Sequence, residues 1–448
     1  MHRHNGGQLV TRFAPSPTGF LHAGNYRTAV FAYLYARHTQ GTFLVRIEDT
    51  DKNRSEKQYE TQILESLEWL GLEYDALHRQ SEWVHEHTRI LKDFVDRNLA
   101  YVSKEKNEEG VERELVRFRN PGKDVTFDDL IRGPITVNTA DLGDFVIAKS
   151  MDEPLFHLAN VADDALQGVT HIIRGEDHIS NTPRQILIYE ALGAHMPHYA
   201  HLPLVLAPDK SKLSKRKGAR PLLEYRDLGY EPGALLNYLA MLGWHPGTDE
   251  EFFTKDDLIE RFTFDQVNKS GAVYDEVKLK WFNREHILRL PEDEFNQKVE
   301  KKLSDDFRTK AKEAGVLELL FPLLRERIET FEDVVEMEKS GEFSYMVEKP
   351  SYTPEQLTWK EDGTAEAKKH LEKVLEFLNT VPEDDWKEAS VKNVLWEYAS
   401  DSGRGSVLWP LRYALTGKER SPDPFFVADI LGKDETIARV TEAISKLA

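Results

Sequence analysis

The chain has 448 residues, 40% hydrophobic and 31% charged, with no cysteine and a formal net charge of −19. That balance belongs to a folded, water-soluble protein of two to four domains, and the missing cysteines exclude disulfides, thiolate zinc sites, iron–sulfur clusters and cysteine nucleophiles. No apolar run approaches the roughly 20 residues that span a bilayer, and the polar start from Met1 to Gln8 has no secretion-signal core, so a cytoplasmic protein without membrane attachment is expected.

Gln8 to Ala14 reads as a short buried strand, broken by the turn chemistry of Pro15-Ser16-Pro17-Thr18-Gly19. Tyr26, Ala29, Val30, Tyr33 and Leu34 then recur with helical spacing, which predicts a helix after Gly24 with one apolar stripe. Gly41 ends that element, and Thr42 to Ile47 is the next strand. A second helix carries Ile63, Leu64, Leu67 and Leu70 and stops at Gly71. This opening is that of a parallel α/β sheet, whose ligands sit beyond the strand C-termini.

From about Leu77 to Glu153 the order loosens and reads as an insertion into the α/β domain. Lys104 to Glu114 is densely charged, and Asn120-Pro121-Gly122 and Gly133-Pro134 mark turns. The α/β pattern resumes at Leu155 to Val161 and at Thr170 to Arg174. Helices dominate after about Gly233, as in the periodic Ile437, Val440, Ile444 and Leu447.

Four segments carry chemistry. Arg12 to Asn25 joins a strand end, a Pro/Gly turn and a helix N-terminus, where free N–H groups and the helix dipole favour an anion. Gly19 and Gly24 allow close approach, and Thr18 and His22 add donors suited to phosphoryl chemistry. The bland alternative is a Pro-rich turn with an incidental histidine. Lys212-Leu213-Ser214-Lys215-Arg216-Lys217-Gly218 is a basic loop that can close over a triphosphate, or else a solvated one. Arg46-Ile47-Glu48-Asp49-Thr50-Asp51 ends the second strand; its acids suit an ammonium or ribose, or cap a helix beginning near Asn53. Function is favoured for Glu48 and capping for Asp51. Ile173-Arg174-Gly175-Glu176-Asp177-His178 puts an arginine at a strand end, placed to grip a carboxylate or to pair with Glu176 or Asp177.

Taken in order, these segments resemble the glutamyl-tRNA synthetase family, over almost the whole chain. Arg12 to Asn25 is similar to its version of the class I HIGH motif, and Lys212-Leu213-Ser214-Lys215-Arg216 to its KMSKS motif. Arg46 to Asp51, Gly168 to His178, Asn181-Thr182-Pro183-Arg184-Gln185 and Trp409 to Gly417 are similar to further family segments. The resemblance implies a Rossmann-type parallel-sheet catalytic region at 1–290. It would hold an acceptor-end insertion at about 77–153 and a helical stem-contact part at about 220–290. An all-α anticodon-binding region at 291–448 would follow.

The activity implied is ATP-dependent ligation of L-glutamate to tRNA through a glutamyl-adenylate. An enzyme that also charges the glutamine tRNA is the alternative. Arg12, Ala14, Ser16, Glu48, Phe156, Asn160 and Arg174 match glutamate-binding positions, with Arg174 or Arg12 on the side-chain carboxylate. Thr18, His22, Gly24 and Lys215 match ATP-binding positions, and His22, Lys212 and Lys215 catalytic ones. Arg404, Arg412, Lys418 and Arg420 are candidates for tRNA contact. The net charge does not oppose a tRNA partner, because a local basic face decides binding. Mg²⁺ is expected with ATP, no protein-held metal and no structural zinc, and the enzyme is expected to be a monomer.

The chain departs from the family in three places. Phe156 stands where a tyrosine is usual, Asn25 where glycine is common, and the cysteines that hold zinc in some relatives are missing. A base-modifying relative lacking the C-terminal half, a silent paralogue with broken motifs and a small-molecule nucleotidylyltransferase fit less well. His22, Gly24, Lys212, Lys215 and a long helical C-terminal region are all present.

Overall fold

The computed structural model describes residues 8–106, 112–214 and 220–447. The chain divides into two units, Met1–His286 and Ile287–Ala448, a few residues earlier than the expected boundary after residue 290.

The first unit opens with β1 (Val10–Phe13), α1 (Ala23–His38), β2 (Thr42–Ile47), α2 (Lys57–Trp69) and β3 (Ala76–Arg79). β2 pairs in parallel with β1 from Val10↔Thr42 to Phe13↔Val45, and with β3 from Leu44↔Ala76 to Ile47↔Arg79. Phe43, Val45 and Ile47 on one face are fully buried and Leu44 and Arg46 on the other nearly so, as a strand covered on both faces requires. Gly71 follows α2 at φ +68°, the left-handed geometry that glycine adopts without strain.

α1 differs from its expected single stripe. Tyr26, Ala29, Val30, Phe31, Ala32 and Leu34 are all completely buried. The helix lies against β1 and β2 and also against helices Pro232–Met241 and Lys255–Arg261. A helix enclosed on several sides needs apolar residues around most of its circumference.

Next come α3 (Val84–Asp96), β4 (Ala100–Lys106), β5 (Glu112–Phe118), β6 (Asp124–Asp129), β7 (Gly133–Asn138), β8 (Phe145–Ser150) and β9 (Glu153–Pro154). α4 (Phe156–Gln167), β10 (His171–Gly175), α5 (Thr182–Leu192) and β11 (His198–Leu202) return the chain to the α/β pattern. The main sheet runs β3-β2-β1-β10-β11-β6-β7, and β4-β5-β8-β9 form a separate antiparallel sheet. The inserted stretch therefore feeds two sheets. β3 belongs to the main one, so the start expected near residue 77 falls inside a strand. The β6–β7 hairpin joins the main sheet beside β11, with Asp129 opposite Tyr199.

After β11, β12 (Val205–Leu206) pairs with β13 (Ala272–Val273). Between and after them lie α6 (Leu222–Asp227), α7 (Pro232–Met241), α8 (Lys255–Arg261) and α9 (Glu276–Arg289). In the second unit the described residues form helices and turns around a core that includes Phe295, Leu320, Leu371, Leu395, Leu411 and Val440. Among the described residues, no helix is long and apolar enough to cross a membrane.

Candidate active site

β1 and β10 are neighbours at the centre of the main sheet, and the chain leaves their C-terminal ends toward different elements. In an open parallel sheet such a point forms a crevice. A cavity of about 380 Å³ opens there, lined by Arg12, Ala14, Ser16, His22, Gly24, Glu48, Phe156, Asn160, Arg174 and Lys212. Residues from both ends of the first 212 positions thus meet around one space. Thr18 is exposed and absent from the wall. Lys215 lies outside the described residues.

One side of the cavity rests on a buried ionic lattice. Arg12 donates from Nε and Nη2 to both carboxylate oxygens of Asp164, at 3.1 and 3.3 Å. Arg46, wholly buried, donates to Asp164 at 2.7 Å, to Gln167 at 2.8 Å and to Glu48 at 3.2 Å. Asp163 stands 3.8 Å from Arg46 Nε and accepts from Gln80 and from the His87 ring. Burial alone would favour neutral Arg46, but Asp164, Glu48 and Asp163 together hold its proton more tightly than usual. Three carboxylates face two guanidinium groups, so the lattice carries one surplus negative charge.

Of the three carboxylates, Glu48 is the one that lines the cavity. Its Oε1 accepts from Asn160 Nδ2 at 2.5 Å and from Arg46. Burial pushes the Glu48 carboxyl above its ordinary value, with Arg46 and Arg12 opposing. Asp51, by contrast, forms an exposed pair with Arg54 at 2.6 Å. Its carboxylate also receives the Asn53 and Arg54 backbone N–H groups, so it caps a turn there, while the helix starts later with Glu56 as its N-cap.

The opposite wall is Arg174. Its Nη1 donates to Gln185 Oε1 at 2.7 Å, its Nη2 to Thr182 Oγ1 at 2.6 Å and its Nε to His201 Nε2 at 3.1 Å. All three partners are neutral. Glu176 pairs instead with Arg132, and Asp177 with Lys212 at 2.9 Å. Among the described residues, no carboxylate forms an ion pair with Arg174, which is only 6% exposed. Burial brings its pKa down to about 10, leaving it charged at neutral pH. A buried cation with neutral partners is an anion receptor in waiting.

The third wall is the His22 turn. His22 is the N-cap of α1, and its backbone N–H donates to Asn25 Oδ1 at 3.0 Å. Asn25 therefore does what a glycine there could not: it caps the turn. A Cβ on Gly24 would sit 3.1 Å from His22 Nδ1 and 3.3 Å from Leu213 Cδ2, so a side chain there would crowd the turn against the basic loop. Ala23 N–H donates to Arg220 O at 3.3 Å, and His22 bridges Pro221. Both borders of the Lys215 segment are thus tied to this turn. Phe156, 38% exposed, packs its ring 5.7 Å from His178, which burial and Arg174 keep neutral with a pKa of about 4.

Motif reading missed Asp164, His201 and Asp129. None sits in a recognisable cluster, and each acts through a contact distant in sequence. In the second unit, the Arg404 guanidinium lies 4.4 Å over the exposed Trp396 ring, and Arg420 is exposed. Lys418 reaches Ser340 O at 3.5 Å. Arg412 donates to Ser421 and to Pro422 O, which commits it to shaping its own loop.

Comparison with known proteins agrees with this geometry. The family model for class I tRNA synthetases (E and Q), catalytic domain, matches residues 8–114 and 104–281, and an anticodon binding domain model matches 291–444. "Glutamate--tRNA ligase 1" of Syntrophus aciditrophicus is 38% identical, covering 98% of this chain and 97% of the relative. Glutamate--tRNA ligase of Aquifex aeolicus is 36% identical over 98% and 100%. A crystal structure of a glutamate tRNA ligase from Elizabethkingia meningosepticum in complex with its amino acid superposes with a TM-score of 0.84. It is 28% identical and covers 99% of this chain and 100% of its own. With the His22 turn and Lys212 on one cavity and relatives matched end to end, the chain belongs to the class I glutamate–tRNA ligase family.

Proposed function

We propose that this protein activates L-glutamate with ATP and transfers it to tRNA, and that Arg174 selects the substrate by its side-chain carboxylate. Glu48, carrying the surplus negative charge of the lattice, receives the ammonium group. Arg12, half neutralised by Asp164, borders the same space. The α-carboxylate is then left toward the His22 turn and Lys212.

In the first step a glutamate α-carboxylate oxygen bonds to the α-phosphorus of ATP, and the bond to pyrophosphate breaks. In the second, a terminal ribose hydroxyl of tRNA attacks the activated carbonyl. The carbon–oxygen bond to AMP breaks, and the hydroxyl proton leaves with solvent or phosphate. ATP enters as its magnesium complex, the ion travelling with the phosphates. The chain's own part is positioning and charge stabilisation by the helix N-terminus at His22 and by Lys212. The exposed Arg404 and Arg420 suit contacts to unpaired RNA bases and phosphates.

The observation that carries this reading is the charged, buried Arg174 with only neutral partners, facing the cavity that holds Glu48 and His22. Glutamine, nearly isosteric but neutral at that end, would leave the arginine buried without a counter-charge. Arg174→Ala and Arg12→Ala should each lower glutamate-dependent aminoacylation at least about tenfold, the loss of one charge-assisted contact. Rates equal to the unmodified enzyme in both would refute the pocket.

A further inference from the structure

Behind Arg174 stands a relay that begins outside the catalytic motifs. Asp129 closes β6, in the hairpin contributed by the inserted stretch, and is only 2% exposed. Its Oδ1 accepts the backbone N–H groups of Ile131 and Arg132 at 3.0 and 2.9 Å. Its Oδ2 accepts from His201 N–H at 3.1 Å and lies 2.6 Å from His201 Nδ1. Burial alone would raise the Asp129 carboxyl, yet His201 and these backbone donors hold it below its ordinary value. An ionised carboxylate only accepts, so His201 Nδ1 carries the proton, and Nε2 presents a lone pair. That lone pair meets the Nε–H of Arg174.

We infer that Asp129 and His201 are positioning residues for substrate selection: Asp129 fixes the His201 tautomer, and His201 in turn aims the Arg174 guanidinium at the substrate carboxylate. The neutral ring between the two charges matters. A carboxylate touching Arg174 directly would satisfy its charge and make it indifferent to glutamate over glutamine. A ring with Nε2 protonated would place one donor against another and turn the guanidinium away. The arrangement steers the arginine while leaving its charge uncompensated. A second tie, Arg132 to Glu176, anchors the same hairpin to the end of β10.

This inference rests on Arg174 reading the substrate carboxylate, so the test must separate the two. Steady-state aminoacylation is measured for Asp129→Asn, the double variant Asp129→Asn with His201→Gln, and Arg174→Ala, with glutamate and ATP varied in turn. Asparagine keeps the contacts to the Ile131 and Arg132 N–H groups but puts an NH2 group where Oδ2 faced the His201 ring and backbone N–H, which gives up that one backbone contact and forces the wrong tautomer. The expected result is a glutamate KM raised about tenfold or more, with kcat and the ATP KM within about threefold. The preference for glutamate over glutamine in kcat/KM should fall about tenfold. The His201→Gln amide oxygen can accept from Arg174 without a tautomer, so the double variant should regain most of the glutamate KM. A merely structural role would lower the melting temperature and kcat together and would show no rescue.

An unchanged glutamate KM in Asp129→Asn, or a double variant no better than the single, overturns the inference while a raised KM in Arg174→Ala leaves the pocket standing. An unchanged KM in Arg174→Ala overturns both. Should Asp129→Asn not fold, His201→Leu carries the same test, with the same rise in glutamate KM expected and an unchanged value refuting it.

Discussion

The end of the cavity proposed for the amino acid and the end proposed for the nucleotide are built on opposite plans. At the first, Arg12, Arg46, Glu48, Asp163, Asp164 and Arg174 are all less than 10% exposed and held by side chains on β1, β2, α4, α5 and β11. At the second, Lys212 is 63% exposed and pairs with the half-exposed Asp177. The contrast follows from the chemistry each end serves. Rejecting a near-isostere requires charges that cannot rearrange to suit the wrong ligand, which burial and multiple hydrogen bonds provide. Stabilising charge on departing phosphates requires cations that reach the ligand during the reaction, which solvent access and a surface pair permit.

The largest expected effect lies in the lattice. Asp164→Ala strips a shared carboxylate from both Arg12 and Arg46 and should destabilise the first unit by about 3–5 kcal/mol, as breaking a buried pair does. Urea unfolding measures it, and a loss below about 1 kcal/mol would end the claim that this end is a rigid lattice. Glu48→Gln sharpens the contrast in the other direction. Removing the surplus negative charge should stabilise the fold by on the order of 1 kcal/mol at pH 8 while lowering glutamate affinity. The sign follows from the raised Glu48 pKa. Its protonated form is favoured in the folded chain, so that stabilisation is complete below the unfolded carboxyl value near pH 4.3 and is lost as pH rises through the folded value. The gap between variant and parent should therefore widen from pH 4 to pH 8, and a pH-independent gap would contradict it. Asp177→Asn should do least. Its pair with Lys212 is exposed, so stability should change by less than about 0.5 kcal/mol. A melting temperature lowered by several degrees would show the nucleotide end to be as fixed as the other.

The legibility of the two ends also differs. Arg12, Glu48 and Arg174 can be found in the sequence because they stand at strand ends within dense motifs. β2 was readable to its residue bounds, since Thr42, Phe43, Val45 and Ile47 are strand formers in a short run after Gly41. Asp164 looks like one acid in a helix; its role exists only through contact with Arg12, 152 positions away. Asp129 and His201 are equally silent, because their meeting depends on a hairpin crossing to the far edge of the main sheet. Thr18 shows the reverse limit. It lies inside a motif, but the direction of its side chain is set by the turn around it. The burial of α1 on several sides was unreadable because its second layer of neighbours arrives some 200 residues later.

The antiparallel sheet of the insertion has no interior of its own. Phe94 of α3, Phe118 of β5 and Phe145 and Ile147 of β8 share one cluster with Leu158 and Val161 of α4 and Ile186 of α5. α4 and α5 also carry Asn160, Asp164, Thr182 and Gln185, so the wall proposed to support glutamate recognition is glued to the inserted sheet. Recombination among relatives must respect that seam: a chimera exchanging only residues 84–154 would leave mismatched aromatic surfaces beneath the pocket, whereas crossovers beyond α5 would move recognition and insertion as one heritable block.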